Sequence, residues 1–143
     1  MKTTKTTKAI YWTTTVIIFL FEGVMPALTS QTEMAKQGIR HLGYPEYFGN
    51  VFVIFKVIGT LVLIIPQIPN RVKEWAYAGF AFDFIFATIS ICYVDGFSVM
   101  AFFPLIILAI LIASYITHDK LVRSKASSTI STKNSYSVSG NIA

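Results

Sequence analysis

Four long apolar segments limit this chain to one kind of fold, an α-helical protein that spans a membrane. They cover approximately residues 10–28, 46–65, 71–93 and 98–117. A helix rises 1.5 Å per residue, so about 20 residues cross a hydrocarbon core about 30 Å thick. Only 13% of the residues are charged, against about a quarter in a typical soluble domain. We predict an all-α integral membrane protein with a single domain.

Prolines and polar residues separate the apolar segments. The polar connection after the first segment contains Ser30 and Glu33 at the spacing of a capping box, which predicts a short interfacial helix over about residues 32–42. Pro66 and Pro69 end the second segment, because proline lacks an amide donor and disfavours helix in the residue before it. Connections this short predict an antiparallel four-helix bundle.

Both ends of the chain are polar. Residues 1–9 begin with the basic motif MKTTKTTK, and residues 118–143 are rich in serine and threonine. A segment with so few apolar residues cannot bury enough surface to fold alone, so we predict a disordered tail. The transmembrane bundle is therefore expected to occupy residues 10–117.

The distribution of lysine and arginine predicts the orientation. Nine of these residues fall on the side that holds both termini: Lys2, Lys5, Lys8, Arg71, Lys73, Lys120, Arg123, Lys125 and Lys133. Only Lys36 and Arg40 fall on the opposite side. Cytoplasmic loops carry the excess of positive residues, so both termini are predicted to be cytoplasmic. The remaining lysine, Lys56, lies inside an apolar segment.

Three ionisable residues lie near the middle of three different spans: Glu22, Lys56 and Asp83. A charge at the centre of a bilayer costs about 2.5–3.5 kcal/mol on insertion scales, and such residues usually face a partner or a wet cavity. Lys56 and Asp83 lie almost at the midpoints of their spans. Glu22 is offset by two or three residues, or about 4 Å along the helix, which a long side chain can bridge. We therefore predict an intramembrane polar site.

Small residues accompany these charges on the same helix faces. Asp83 shares its face with Gly79 and Ser90, and Lys56 shares its face with Gly59. Small side chains allow a neighbouring helix to approach closely. We expect these three residues to support the polar site and Asp83 to point at a helix rather than at lipid.

The charges allow several interpretations. Lys56 could bridge one or both acids and hold the bundle together. Two carboxylates and one ammonium also leave a surplus negative charge, which favours a proton on one of the acids, as a proton relay or a quinol site would use. Passage of a small solute is a third interpretation, and it would require oligomerisation.

Other chemistry lacks candidate residues. The single cysteine, Cys92, cannot form an internal disulfide, and His41 and His118 lie outside the predicted spans. We therefore expect neither a haem nor a metal site. No phosphate-binding loop and no basic groove for nucleic acid is present in the sequence. No catalytic residue is assigned.

Several segments together resemble the DoxX-like family of small bacterial four-helix membrane proteins. They are residues 21–23, 41–45 (HLGYP), 56–59, 64–66, 73–80 (KEWAYAGF), 82–83 and 104–105. The two longer blocks, in this order and at this spacing, carry most of the resemblance. Together the segments cover about residues 10–117.

The resemblance implies a multi-pass protein of the bacterial plasma membrane. The family is named after a subunit associated with quinone-linked oxidation of sulfur compounds, so a quinone is a possible cofactor and a membrane redox protein a possible partner. Relatives often carry a histidine late in the third helix, where this chain has Ser90 and Cys92. Our leading hypothesis is a redox accessory protein with no enzyme activity on its own. A membrane scaffold or assembly factor, a small-solute carrier and a homo-oligomer stay open.

Overall fold

The computed structural model describes residues 5–140, without the side chains of residues 134 and 136–140, and over that range it is helical and contains no strand. The five helices are α1 (Lys5–Thr29), α2 (Glu33–His41), α3 (Glu46–Ile64), α4 (Asn70–Asp95) and α5 (Val99–Gly140). Helices α1, α3, α4 and α5 are long and apolar enough to cross a membrane.

The predicted all-α architecture with four spans is confirmed. The four long helices alternate in direction, and α2 lies between the first and second of them. We call the end of the bundle where α2 lies the α2 side, and the opposite end the termini side. The cytoplasmic location of the termini stays a prediction, and Lys2 lies outside the described residues.

The N-cap of α2 differs from the predicted one. Ser30 belongs to the end of α1, where its N–H donates to Pro26 O over 2.9 Å. Thr32 caps α2 instead, and its hydroxyl accepts from the amide of Ala35. The capping box predicted at Ser30 and Glu33 is therefore wrong by two residues at its start, because α1 continues further than its apolar residues indicate.

A π-helical turn interrupts α1 over Phe19–Val24. At its end the Met25 N–H donates to Leu20 O, five residues back. Pro26 explains the turn, because its ring clashes with the carbonyl four residues earlier and it has no N–H to donate. The wider turn relieves this conflict, and such bulges are frequent at functional sites.

The helices pack unevenly around the core. Helix α5 packs extensively against both α1 and α4, and α1 also packs extensively against α3, while α3 and α4 contact each other less. The hydrophobic core of the bundle contains Ile18, Leu63, Phe80, Phe84 and Leu111. The looser contact between α3 and α4 leaves grooves at the side of the bundle.

The C-terminal part of the chain differs from the predicted disordered tail. Helix α5 continues to Gly140, and most side chains beyond residue 120 are exposed. The contacts in this extension are local: Arg123 pairs with Asp119 at 2.8 Å, and the Ser128 and Thr129 hydroxyls donate to Lys125 O within the same helix. Such contacts need no hydrophobic core, which is why the apolar content of the tail did not predict them.

Candidate functional site

The three predicted intramembrane charges meet in the structure. Lys56 Nζ lies 2.6 Å from Glu22 Oε2 and 3.0 Å from Asp83 Oδ2. The side chains of both acids are 10% exposed and that of Lys56 is 19% exposed. We call these three residues the triad. They connect α1, α3 and α4 through one ammonium group.

The π turn of α1 determines where Glu22 lies. Glu22 and Gly23 are the buried residues of this turn. A Cβ atom on Gly23 would lie 2.5 Å from the Thr60 hydroxyl oxygen, so α1 and α3 can approach this closely only with glycine at that position. The close approach brings the Glu22 carboxylate within hydrogen-bond distance of Lys56, which donates to it.

The two acids are not equivalent. Glu22 accepts a hydrogen bond from Lys56, whereas Asp83 Oδ2 accepts none from the described residues, although it lies at ion-pair distance. The Lys56 ammonium also lies 5.0 Å from the centre of the Phe52 ring, which favours a cation over its face. With both acids ionised the triad carries a formal charge of −1. Asp83 is therefore the acid that Lys56 contacts less directly, and both carboxylates retain lone pairs that can accept a further hydrogen bond or hold a proton.

The supporting residues take different roles. Gly59 permits close packing, since a Cβ there would lie 2.9 Å from the Phe80 ring. A Cβ on Gly79, by contrast, would meet no neighbouring atom within 4 Å. Ser90 forms a hydrogen bond with the Tyr44 hydroxyl over 2.8 Å. The expectation of close helix packing along the small-residue face of α4 is therefore wrong at Gly79, which faces open grooves.

Two apolar grooves between α3 and α4 meet at the triad. The first, the Trp75 groove, has a volume of about 410 Å³ and is lined on its apolar length by residues such as Phe55, Val62 and Trp75. The second, the Ser90 groove, has a volume of about 390 Å³ and extends toward Ser90. Both are also lined by Phe52, Gly79 and Asp83.

Aromatic rings form a continuous ladder along the Ser90 groove. The centroids of Tyr44 and Phe48 are 4.8 Å apart with nearly parallel planes, and those of Phe48 and Phe52 are 5.5 Å apart. Phe82 and Phe86 line the same groove. A flat ring placed here would have stacking surfaces on the walls and the triad at one end.

A third cavity, the α2 pocket, reaches Lys56 from the α2 side. Its volume is about 270 Å³. Polar residues contribute more to its lining than to either groove: Thr29, Ser30, Lys36, Glu46, Asn50 and Lys56. The triad is therefore adjacent to two apolar grooves and one polar pocket.

Side-chain contacts hold α2 above this pocket. His41 Nε2 lies 2.6 Å from Asp95 Oδ1 at the end of α4. Arg40 pairs with Glu46 at the start of α3. Gln31 donates to the Asn50 side-chain oxygen over 3.0 Å across the connection. The HLGYP segment thus has a structural use, because it joins α2 to both α3 and α4.

A second buried polar cluster lies nearer the termini side. Lys73 is only 3% exposed, and its Nζ lies 3.1 Å from Leu63 O and 3.5 Å from the Tyr11 hydroxyl. Leu63 is in the last turn of α3, where Pro66 cannot supply an amide to the free carbonyls, and a lysine is a favourable partner there. The sequence analysis counted Lys73 only among the charges on the side of the termini, and the structure places it inside the bundle. The two prolines after α3 are the sequence signal that indicated an unsatisfied helix end.

Three hydroxyl groups join the helices beside this lysine. The Ser114 hydroxyl lies 3.0 Å from that of Thr15 and 2.9 Å from that of Tyr77. Ser114 and Thr15 are almost completely buried. His118, also buried, lies with its ring 5.8 Å from those of Tyr11 and Tyr77. This cluster was not predicted from the sequence, since serine and threonine are common in apolar helices.

Replacing Ser114 with alanine is expected to lower the free energy of unfolding by about 1–2 kcal/mol, because the Thr15 and Tyr77 hydroxyls lose their shared partner. The measurement is unfolding in mixed micelles followed by circular dichroism. Ser128→Ala, on the exposed part of α5, is the matched control. Equal stability of the two variants would show that the hydroxyl cluster contributes nothing.

No group of three or more His, Cys, Asp or Glu side chains suited to a metal ion occurs among the residues that the structure describes. The chemistry available at the triad is therefore hydrogen bonding, charge neutralisation and proton exchange. These are properties of a binding or relay site.

Fold and site together define a multi-pass α-helical membrane protein with charged residues inside its bundle. A family model described as the DoxX-like family matches residues 10–114, and the chain belongs to this family. The match covers the first three spans and most of the apolar part of the fourth. Comparison with curated proteins found no match, and comparison with solved structures found none either.

Proposed function

We propose that this protein binds a lipophilic molecule with a quinone-type ring beside Asp83 and Lys56, as an accessory component of a membrane redox system. The observation that carries the proposal is the meeting of two apolar grooves at Asp83, at the side of the bundle that faces lipid. A membrane-dissolved molecule could enter such grooves laterally without crossing water. The DoxX-like membership supports a role in the membrane and leaves the ligand to be tested.

The two grooves suit different parts of such a molecule. The Ser90 groove, with stacked Phe48 and Phe52 and the Asp83 carboxylate, suits a flat ring with polar substituents. The Trp75 groove is almost wholly apolar and suits an aliphatic tail. Ligand sites of this kind are mostly apolar, with a few polar groups that determine orientation.

Each member of the triad has a distinct role in this proposal. Lys56 neutralises and orients the acids and can donate a hydrogen bond to a ring oxygen. Asp83 Oδ2 or the Glu22 carboxylate holds the proton that a reduced ring oxygen requires. In this proposal the electrons come from a partner protein. We place the chain in the bacterial plasma membrane with cytoplasmic termini, supported by the lysine and arginine distribution.

Tryptophan fluorescence can test the binding site directly, because the chain has two tryptophans. Trp75 lines a groove, whereas Trp12 is on α1 and is not among the groove residues. In nanodiscs, a short-chain quinone is expected to quench the Trp12→Phe variant, which retains Trp75, in a saturable manner. The Trp75→Phe variant is expected to show only the linear quenching that results from partition into lipid.

Asp83→Asn should lower the affinity for the quinone, measured from the saturable quenching, about tenfold. This corresponds to the loss of about 1.4 kcal/mol from a charge-assisted hydrogen bond. Glu74→Gln, an exposed change on the same helix, is the matched control. Linear quenching of Trp75, or an Asp83→Asn variant that binds as the parent does, would reject the quinone-type site.

A non-enzymatic scaffold is the second candidate. The observation that favours it is the closure of Lys56 on both acids, which joins three helices without any ligand. In this interpretation the charges determine only which helices pair, and apolar residues of similar size could replace them. Saturable quinone binding that depends on Asp83 would count against it.

A further inference from the structure

The triad has an aqueous side that the quinone-type proposal does not require. We propose that water and small cations reach Glu22, Lys56 and Asp83 through the α2 pocket, and that the termini side is closed to them. The proposal depends on the geometry of the pocket and the core, and it stands or fails separately from the identity of any lipophilic ligand.

The lining of the α2 pocket changes along its length. Near α2 it is formed by polar residues, among them Ser30, Glu46 and Asn50, and it continues past Val53 to Lys56. Val53 lies almost one turn before Lys56 on α3. At about 270 Å³ the pocket is large enough for several waters, each of which occupies about 30 Å³ in the liquid. Its polar groups can hydrogen-bond that water.

An apolar layer closes the route from the termini side. Ile18 is 0% exposed and Leu63 is 1% exposed. Phe80, on the termini side of Asp83 in α4, completes the layer as part of the same packed core. Beyond it lies the cluster of Tyr11, Lys73 and Ser114. The buried Thr60 lies at the level of this layer too, and its hydroxyl donates to Val57 O within its own helix. Because ordered water needs both space and free polar partners, we infer that the two polar clusters are separated rather than joined.

The charges around the pocket favour a cation at its inner end. Lys36 pairs with Glu33 and Arg40 pairs with Glu46, so the charged groups near the mouth compensate one another. While both acids are ionised, the triad contributes two negative charges and one positive charge. A cation is therefore stabilised as it approaches Lys56 and its two acids, while an anion is destabilised. A proton carried by water is the smallest such cation.

Cysteine accessibility tests the route. In a Cys92→Ser background, Val53→Cys is the probe of the pocket and Ser114→Cys the probe of the cluster behind the apolar layer. Phe55→Cys, 69% exposed on the lipid-facing side of α3, is the control for lateral entry. The full-length protein in nanodiscs, open to water on both sides, is treated with a trimethylammonium methanethiosulfonate, a cation that does not dissolve in lipid.

We expect Val53→Cys to react at least about tenfold faster than the other two variants. Equal rates at Val53 and Phe55 would overturn a specific aqueous pocket. Rapid reaction at Ser114 would overturn the closed termini side. Each variant is first checked for a monodisperse, helical protein, and Val53→Ser, which leaves no thiol, defines the background rate.

The preference for cations has its own measurement. The same Val53→Cys variant is treated with a sulfonate reagent of matched size, and the ratio of cationic to anionic rates is compared with that for N-acetylcysteine. We expect the ratio at Val53 to be about tenfold higher. Adding Glu22→Gln and Asp83→Asn should reduce this ratio below that of free cysteine, because Lys56 then leaves a positive site. An unchanged ratio would show that the triad does not control access.

Discussion

Replacing Lys56 with methionine is expected to lower the free energy of unfolding by about 3–5 kcal/mol, the largest effect of any single change considered for this chain. Removal of one partner of a buried ion pair leaves the other charge uncompensated. Here two carboxylates, each 10% exposed, would remain together without a cation. Unfolding in mixed micelles, followed by circular dichroism, measures the loss. Lys120→Met, at an exposed position on α5, is the matched control.

The loss should be reversed when the acids are neutralised as well. A variant with Lys56→Met, Glu22→Gln and Asp83→Asn has no buried charge, and its stability should return to within about 1 kcal/mol of the parent or exceed it. If Lys56→Met is as stable as the control, the ion pairs contribute nothing to stability. If the triple variant stays as unstable as Lys56→Met, the lost energy comes from packing of the lysine chain instead.

The triple variant also separates the two proposed functions. A scaffold needs only the fold, so a folded variant without the three charges would still support its partner. A site that binds a quinone-type ring through Asp83 loses its polar anchor. Saturable quenching of Trp75 should then disappear even though the protein remains folded. Persistence of that quenching would assign the binding to the aromatic walls alone.

Adding one methyl group at Gly23 is expected to lower the free energy of unfolding by about 1–3 kcal/mol, the usual cost of overpacking. The new Cβ would lie 2.5 Å from the Thr60 hydroxyl oxygen and 3.2 Å from its Cβ. Thr60 is completely buried and donates to Val57 O, so its side chain has little room to move. Helices α1 and α3 would have to separate, and the contact between Glu22 and Lys56 would lengthen.

Two further variants make this result specific. Thr60→Ala removes the clashing oxygen, so adding it to Gly23→Ala should restore most of the lost stability. If the losses of the two single variants instead add in the double variant, the strain does not come from this contact. Gly79→Ala is the matched control within the membrane, since a Cβ there meets no atom within 4 Å. Gly79→Ala should be neutral or slightly stabilising, because alanine is the better helix former. A loss at Gly79 equal to that at Gly23 would indicate a general effect of glycine replacement.

Much of the architecture was predictable because the bounds of a membrane-spanning helix depend mainly on residues close to its ends. Helices α3 and α4 start and end close to the predicted positions, since apolar length and Pro66 act on their own neighbourhood. Helix α1 begins before the predicted span and α5 continues well past it. The triad was predictable for a related reason. A charge in a segment surrounded by lipid needs a partner, and the depths of Glu22, Lys56 and Asp83 matched.

The π turn and the burial of Lys73 needed tertiary information. Pro26 indicates that α1 is disturbed, yet the direction in which Glu22 turns depends on how closely Gly23 approaches Thr60. Lys73 has the sequence context of a charge at the end of a span, where a lysine usually reaches water. It is buried because the carbonyl of Leu63 and the hydroxyl of Tyr11 converge on its position from other helices.

The grooves follow from a difference in packing between helix pairs. Helix α5 packs extensively against α1 and α4, while α3 contacts α4 at fewer positions. The space beside Gly79 therefore stays open instead of being filled by a neighbouring helix. The amino-acid pattern was sufficient for four membrane-spanning helices and for a charge cluster at their middle, because hydrophobicity and the cost of burying a charge act on each segment separately. The accessibility of that cluster, laterally to lipid and through the α2 pocket to water, emerged only in three dimensions, since it depends on how closely each pair of helices packs.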